Sequence, residues 1–454
     1  MLLVSTYTLG HQPLVLAVAQ RALRDAGFAP QLLDIQLEPA TPERLRGHAL
    51  VAIAAPMHTG TRLAAGLCRT VKAADPSTRI CVFGLHAPPN REHLFASGAD
   101  VVVGPDFTGA LVALARAVTQ DRPLQGIPGA LLPGDTTDPV PGRPAVLRPD
   151  RTGLLPLARY AQLERDGVRT TAGYVETTVG CKHVCRHCPL TPVYRGRFFA
   201  LDRAVVLDDI DGLVAAGAGH ITFGDPDFLN GPGHALRITD ELHRRHPGVT
   251  WDATVKVEHL LLHADLLGTF RDRGCVFMVS AVESLSDEVL RQLHKGHTGA
   301  DVRRALALTR QAGIPLRPTF VAFTPWTTAA DHLALCDLVD QEGLHDVVDP
   351  VQMTLRLLIP PGSALLETCA GQPWLGPVNV ASLTHAWTHP DVRMDALCQE
   401  LGDVAAAGAS SAEGPRDTLQ KIAQVSRARL GGVPPRGVAP STGRAPRLTE
   451  HWFC

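Results

Sequence analysis

The chain has 454 residues, 45% of them hydrophobic, and Lys+Arg at 43 against Asp+Glu at 45 leave a formal charge of −2. That balance excludes extended disorder and a basic surface for nucleic acid, and 5% aromatic content argues against a stacking platform for single strands. No apolar run approaches the roughly 18 residues of a membrane span. The opening MLLVSTYTLGHQ has no basic residue before Arg21, which does not fit a secretory signal, so a cytoplasmic location is expected.

The first 120 residues alternate short apolar runs with helical spacing. Strands are expected at Leu2–Ser5, Pro30–Ile35, Leu50–Ala55, Ile80–Gly84 and Val101–Gly104. Helices are expected at Gln12–Ala26, Thr41–Arg46, Arg62–Ala73, Arg91–Ser97 and Ala110–Thr119. Continuous Val/Ile/Leu runs between helices predict a parallel sheet covered on both faces, a Rossmann-like α/β domain over 1–121 with its ligand at the carboxyl ends of the strands. Residues 122–170 open in a Pro/Gly-rich stretch without periodicity, a linker lying on a surface.

A second alternation begins near Tyr174, with strands expected at Tyr174–Thr178, His220–Phe223, Trp251–Val255, Val276–Ala281, Leu316–Phe323 and Gln352–Leu358. Six βα units predict a partial parallel barrel over 171–363, whose chemistry belongs on the loops after the strands. Lys256, Glu258, His259 and Arg356 are polar candidates there, and Lys295-Gly-His-Thr298 reads as a turn capped by Thr298. Helical pieces follow over 364–430, then a Gly/Pro/Arg-rich tail, 431–454, expected to be flexible.

Of the ten cysteines, Cys68, Cys81, Cys275, Cys336, Cys369 and Cys398 sit in apolar or helical surroundings and read as small buried hydrophobes. Cys181, Cys185 and Cys188 instead form C-x3-C-x2-C directly after the first barrel strand. Three thiolates on one tight loop can hold three corners of an iron–sulfur cube, leaving one iron open. A zinc site completed by His183 or His187 is the alternative.

This triad after a strand, ahead of a βα half-barrel, resembles the radical S-adenosylmethionine (SAM) superfamily. The resemblance implies a 4Fe-4S cluster on Cys181, Cys185 and Cys188 whose open iron chelates SAM, and reductive cleavage of SAM to a 5′-deoxyadenosyl radical. His187 then stands where an aromatic residue commonly packs near the adenine. Gly224, Asp225 and Asp227, at the end of the second strand, match the segment that binds the SAM amino group. Glu283, ending the fourth strand, matches the ribose contact, and Leu316–Phe323 falls where a strand edge meets the adenine. An electron donor such as flavodoxin or ferredoxin and a small-molecule or metabolite substrate are the implied partners, with neither membrane nor specific nucleic acid.

Ahead of such a barrel, the N-terminal domain resembles the cobalamin-binding domain of the cobalamin-dependent branch. Gly84 and Gly104 end strands where that family has glycines, and His58 lies on a candidate loop; D-x-H-x-x-G is absent. Cobalamin is therefore the third implied cofactor, against a domain that only packs on the barrel. The whole chain is similar to radical SAM proteins with a CUAEP or CCAEP tail, through TVGCKHVCRHCPLTPVYRGRF, HITFGDPDFLNGPGHAL and RLTEHWFC. That likeness makes Cys454 a catalytic candidate and implies a selenocysteine (UGA) codon after it. Cobalamin-dependent methyl transfer is the implied reaction. Radical rearrangement, C–S or C–metalloid bond formation, or a non-enzymatic zinc-stabilised cobalamin or nucleotide sensor are the alternatives.

Overall fold

The computed structural model describes residues 1–136, 141–411, 413–433 and 445–450. The N-terminal sheet comprises β1 (Leu2–Ser5), β2 (Gln31–Asp34), β3 (Leu50–Ala54), β4 (Arg79–Phe83), β5 (Val101–Val103) and β6 (Ala130–Leu131). Its order is β2-β1-β3-β4-β5-β6, parallel except for β6. Helices α1 (Leu14–Asp25), α2 (Pro42–Leu45), α3 (His58–Ala74), α4 (Arg91–Ala96) and α5 (Thr108–Thr119) cover both faces. The apolar runs form strands because both faces are buried; β3 is inaccessible along its whole length. Strand order reverses between β1 and β3, so a crevice opens at their carboxyl ends, beside Thr6–Gln12 and Ala55–Met57.

The second sheet runs β14-β13-β12-β11-β8-β7-β17. Its parallel strands are β8 (Val168–Val175), β11 (His220–Phe223), β12 (Thr250–Thr254), β13 (Cys275–Glu283) and β14 (Leu316–Phe320). An antiparallel edge is made by β7 (Gln162–Arg165), and β9 (Thr178–Gly180) pairs with β10 (Phe198–Ala200) above the first parallel strand. The α6 (Leu190–Tyr194), α7 (Arg203–Ala215), α8 (Pro232–Arg245), α9 (Val257–Leu262), α10 (Leu267–Asp272), α11 (Asp287–Gln292), α12 (Gly299–Ala312) and α13 (Ala329–Gln341) helices wrap this half-barrel. A short α14 (Leu366–Cys369), a hairpin of β15 (Leu375–Asn379) and β16 (Thr384–Trp387), and the packed pair α15 (Val392–Ala409) and α16 (Pro415–Leu430) complete the C-terminal part. The six cysteines expected to be buried hydrophobes are all buried.

Three expectations are corrected. The first barrel strand begins at Val168, six residues earlier than its apolar end suggested, because β7 supplies a hairpin partner. The sixth strand is reduced to a bridge between Phe323 and Arg356. Pro350–Met353 is a 3-10 turn, and the Gln352 side chain accepts the Phe320 N–H at 3.0 Å, taking the bond a further strand would have used. Part of the tail expected to be flexible is a strand, β17 (Arg447–Leu448), antiparallel to β7. An open sheet edge offers unpaired backbone groups, and Arg447 adds an ion pair to Glu164 at 2.7 Å.

The linker also has a structural role. Arg151 donates to both oxygens of Asp209 on α7 (2.8 and 2.7 Å), to Gln12 of the N-terminal domain (2.9 Å) and to the Tyr174 carbonyl of β8 (2.8 Å).

Candidate active site

The cysteine loop leaves β9 at Gly180, whose φ of +80° and close approach to the Arg197 carbonyl exclude a side chain. Lys182 N donates to Asn230 Oδ1 (3.2 Å), Arg186 N to the Leu293 carbonyl (2.9 Å), and Cys188 N to the Cys185 carbonyl (3.1 Å). The loop is thus pinned by the segments after the second and fourth parallel strands. None of its thiols is in a disulfide. Burial pushes the Cys188 thiol up to about 12 and raises that of Cys181, and the neighbouring cysteines add to both shifts. Three unpaired cysteine thiols on one loop, Cys185 buried and Cys181 and Cys188 half-buried, are a donor set that ionises on binding a metal or cluster, so the residues fit a 4Fe-4S group.

His183, Asp227 and His259 bring three ligand atoms within 4.8 Å of one another, a group that could hold a metal ion. His183 Nε2 lies 3.2 Å from Asp227 Oδ2, and its Nδ1 is 3.1 Å from Lys256 Nζ. His259 Nδ1 reaches the same Asp227 oxygen at 2.5 Å. Burial alone would raise the Asp227 carboxyl, but the two imidazoles hold it well below the usual carboxylate range. Asp227 also accepts from Leu229 N at 3.3 Å, a capping role.

Asp225 braces the loop from beneath. Its buried carboxylate accepts from Thr177 N (2.9 Å), Thr177 Oγ1 (2.8 Å) and Thr178 Oγ1 (2.6 Å), fixing the start of β9 and hence the approach to Cys181. Burial nevertheless pushes it up to about 6. Gly224 must lack a side chain: a Cβ there would sit 2.0 Å from the Tyr174 ring.

Glu283 ends β13 at a bulge with φ of +69°, a conformation that costs a non-glycine residue about 1–3 kcal/mol. Its carboxylate takes His187 Nε2 at 3.1 Å and Lys295 Nζ at 3.3 Å. Burial opposes ionisation, yet Lys295 and His187 hold the group down at about 2. Lys295 was not singled out as a partner: the Lys-Gly-His-Thr turn displays its Thr298 capping box, with Asp301, and gives no hint of the ion pair. Arg356 turns away, 3.7 Å over the Trp387 ring and paired with Asp395.

Two cavities adjoin this cluster. One, of about 560 Å³, fills the half-barrel between Gln12, Glu176, Gly224, Asp252 and Arg317. The other, of about 480 Å³, lies between the barrel and the carboxyl ends of the N-terminal strands, lined by Met57, Gly84, His86, Phe107, Val179 and Leu190. His86 also borders a small crevice with His187 and Cys188. Gly84, with φ of +122°, lets the chain pass 2.9 Å from the Ala55 carbonyl where a Cβ would stand. Gly104 is buried at the end of β5, while its neighbour Pro105 lines the cavity. His58 instead begins α3 and meets the Leu383 carbonyl at 3.2 Å, so the histidine of this cavity is His86. Cys454 lies outside the described residues; Glu450, four positions earlier, bonds His11 at 2.7 Å and lines the barrel cavity.

Residues 175–328 match the radical SAM superfamily. Among curated proteins, the chain is 28% identical over 184 residues to the ribosomal protein uS12 methylthiotransferase RimO of Parabacteroides distasonis, covering 38% of this chain and 42% of that protein. It is 26% identical over 290 residues to the tRNA-2-methylthio-N(6)-dimethylallyladenosine synthase of Acidithiobacillus ferrooxidans, covering 61% and 58%. The chain thus spans between two fifths and three fifths of these relatives' length. Among solved structures, the radical SAM methyltransferase TsrM of Kitasatospora setae, with tryptophan substrate and a SAM analogue bound, superposes with a TM-score of 0.68 at 20% identity, covering 92% of this chain and 88% of that one. The cobalamin-dependent SAM radical enzyme OxsB, with aqua-cobalamin bound, gives 0.69 at 14% identity, covering 95% and 71%. These superpositions, which cover both domains, show a shared fold. No helix among the described residues is long and apolar enough to cross a membrane.

Proposed function

We propose that this radical SAM enzyme binds its 4Fe-4S cluster through Cys181, Cys185 and Cys188 and uses cobalamin at the domain interface to transfer a methyl group to a small-molecule substrate. The observation that carries the reading is the cysteine loop itself, with three unpaired thiols, pinned at the carboxyl end of the half-barrel by the segments after the second and fourth parallel strands. When bound, the cluster supplies the electron that cleaves SAM. The chain's own residues bind and orient: the strand end Gly224–Asp227 faces the amino-acid part of SAM, and Glu283 with His187 faces the ribose and adenine. Asp225 acts beneath them as a positioning residue, since its oxygens are already occupied by three donors.

Cobalamin supplies a transferable methyl group. Its proposed place is the cavity lined by Gly84 and His86, which adjoins the cysteine loop through the crevice at His187 and Cys188. The methyl transfer named for TsrM supports methylation, whereas the methylthio transfers named for the curated relatives form a C–S bond and support the alternative of C–S bond formation; neither supports rearrangement. An external reductant such as flavodoxin or ferredoxin would serve as electron donor. Cys454, by its likeness to the tail cysteine of the CUAEP/CCAEP proteins, is proposed as a catalytic residue.

A Cys3His zinc site is disfavoured because residues 175–328, which contain the cysteine loop, match the radical SAM superfamily, and because His187 is hydrogen-bonded to Glu283. Metal analysis after anaerobic reconstitution tests the reading: iron with sulfide and reductive SAM cleavage are expected, and both are lost in the triple Cys→Ala variant. One stoichiometric zinc, or SAM cleavage surviving the triple substitution, would refute it. Corrinoid retention by anaerobically purified protein tests the cobalamin step separately.

A further inference from the structure

The barrel cavity holds a guanidinium that the fold leaves incompletely partnered. Arg317 lies on β14, on the strand face that alternates with buried Leu316 and Pro318. Its Nη2 is 3.4 Å from Asp349 Oδ2, long for a charge-assisted bond, which usually spans about 2.7–2.9 Å. Its Nη1 is enclosed and has no partner. The other arginines of the cavity differ: Arg447 is paired with Glu164 at 2.7 Å, and Arg169 is mostly exposed.

The remaining acidic groups of the wall do not complete the pairing. Asp252 accepts from His220 and Thr222, both at 2.8 Å. Glu450 is bonded to His11 at 2.7 Å. The Glu176 carboxyl, which accepts from the Tyr174 hydroxyl at 3.3 Å, is pushed up to about 7 by burial and by Asp225, so near neutrality it is only partly ionised. Enclosed polar groups in native proteins are nearly always satisfied, and an enclosed charge without a full complement of partners is costly. A guanidinium presents a planar fork that matches a carboxylate bidentately.

We infer that Arg317 binds the carboxylate of the substrate inside the half-barrel, so that the substrate is a carboxylate-bearing small molecule whose other end points to the Glu176–Gly224 edge. A cavity of about 560 Å³ is of the size that encloses a small metabolite, amino-acid-sized or somewhat larger. Gly224 and Glu176 belong to the strand ends that frame the cysteine loop, so a ligand anchored at Arg317 extends toward the reacting centre. What is done to this molecule rests on the proposed function; that it binds through a carboxylate does not.

The test uses 4-fluorobenzoate and 4-fluorobenzamide, matched in shape and differing in charge, titrated into the reconstituted holoenzyme and followed by fluorine NMR. The acid is expected to bind at least tenfold more tightly than the amide. Arg317→Gln should weaken the acid at least tenfold and leave the amide unchanged, while Arg317→Lys, keeping the charge without the fork, falls between. Equal binding of acid and amide by the wild-type protein overturns the inference, and does so even if the variants fail to fold. So does acid binding that is unaltered in a folded Arg317→Gln protein. Reductive SAM cleavage by the same wild-type sample is scored separately: its absence with carboxylate binding intact refutes the enzymatic reading alone.

Discussion

Arg151→Ala should loosen the two domains from each other. Arg151 and Asp209 are 14% and 5% exposed, and the guanidinium makes four hydrogen bonds to Asp209, Gln12 and Tyr174 at 2.7–2.9 Å. Truncation leaves the Asp209 carboxylate enclosed with its main counter-charge gone, a change that costs about 3–5 kcal/mol. Water entering the vacated space favours the lower end. For a chain of 454 residues melting as one unit, the entropy scale gives about 1 °C per kcal/mol, so 3–5 kcal/mol corresponds to a fall of about 3–5 °C in Tm. Thermal melts of the cofactor-free protein by circular dichroism at pH 7 read this directly. Arg151→Met with Asp209→Leu should recover most of the loss, because removing both charges avoids the stranded anion. The double-mutant cycle should then show coupling well above the 0–1 kcal/mol of an exposed pair. A single-variant shift below about 2 °C would refute the view that the linker clasps the domains. Both cavities border this junction, so Arg151→Ala is further expected to weaken corrinoid retention.

Gly224→Ala places a Cβ 2.0 Å from the Tyr174 ring, an overpacking worth about 1–3 kcal/mol, and should lower Tm while abolishing SAM binding in calorimetry; wild-type affinity would show that the strand end does not approach SAM. Glu176 has its carboxyl raised from 4.5 to about 7, so its contribution to stability is full below about pH 4.5 and lost as pH rises through 7. Glu176→Gln, which fixes the neutral form, should therefore stabilise the protein by about 1–3 kcal/mol at pH 8 and much less at pH 5, and an equal effect at both values would contradict the burial-driven shift.

How far the sequence disclosed all this depends on whether the determining partner is near in the chain. The cysteine loop was legible because its three thiols fall within eight residues, and the parallel strands because sheets covered on both faces need unbroken apolar runs. The sixth strand misled for the opposite reason. Gln352–Leu358 has the composition of a strand, but a side-chain oxygen 32 residues from Phe320 takes the bond that would have paired it. Glu283 is marked in the sequence by its place at a strand end, whereas Lys295, which keeps it ionised, sits in a turn whose visible signal is the Thr298 cap. Arg151 shows the limit of composition: a Pro/Gly-rich stretch predicts an extended path, not which carboxylate that path will cross.

Arg317 is the sharpest case. In a half-barrel strand one face meets the helices and the other meets the cavity, and both are enclosed, so the sequence Leu-Arg-Pro-Thr-Phe reads as an apolar strand with one intruding charge. Alternation places Arg317 and Thr319 on one face, but period two alone cannot say that this face encloses an open volume rather than packed side chains. Only the cavity separates a misplaced surface residue from a ligand-binding one. Once it is known, the same physical cost that makes a buried guanidinium rare becomes the argument for its ligand, because an anion arriving from outside is what the fold has left room for.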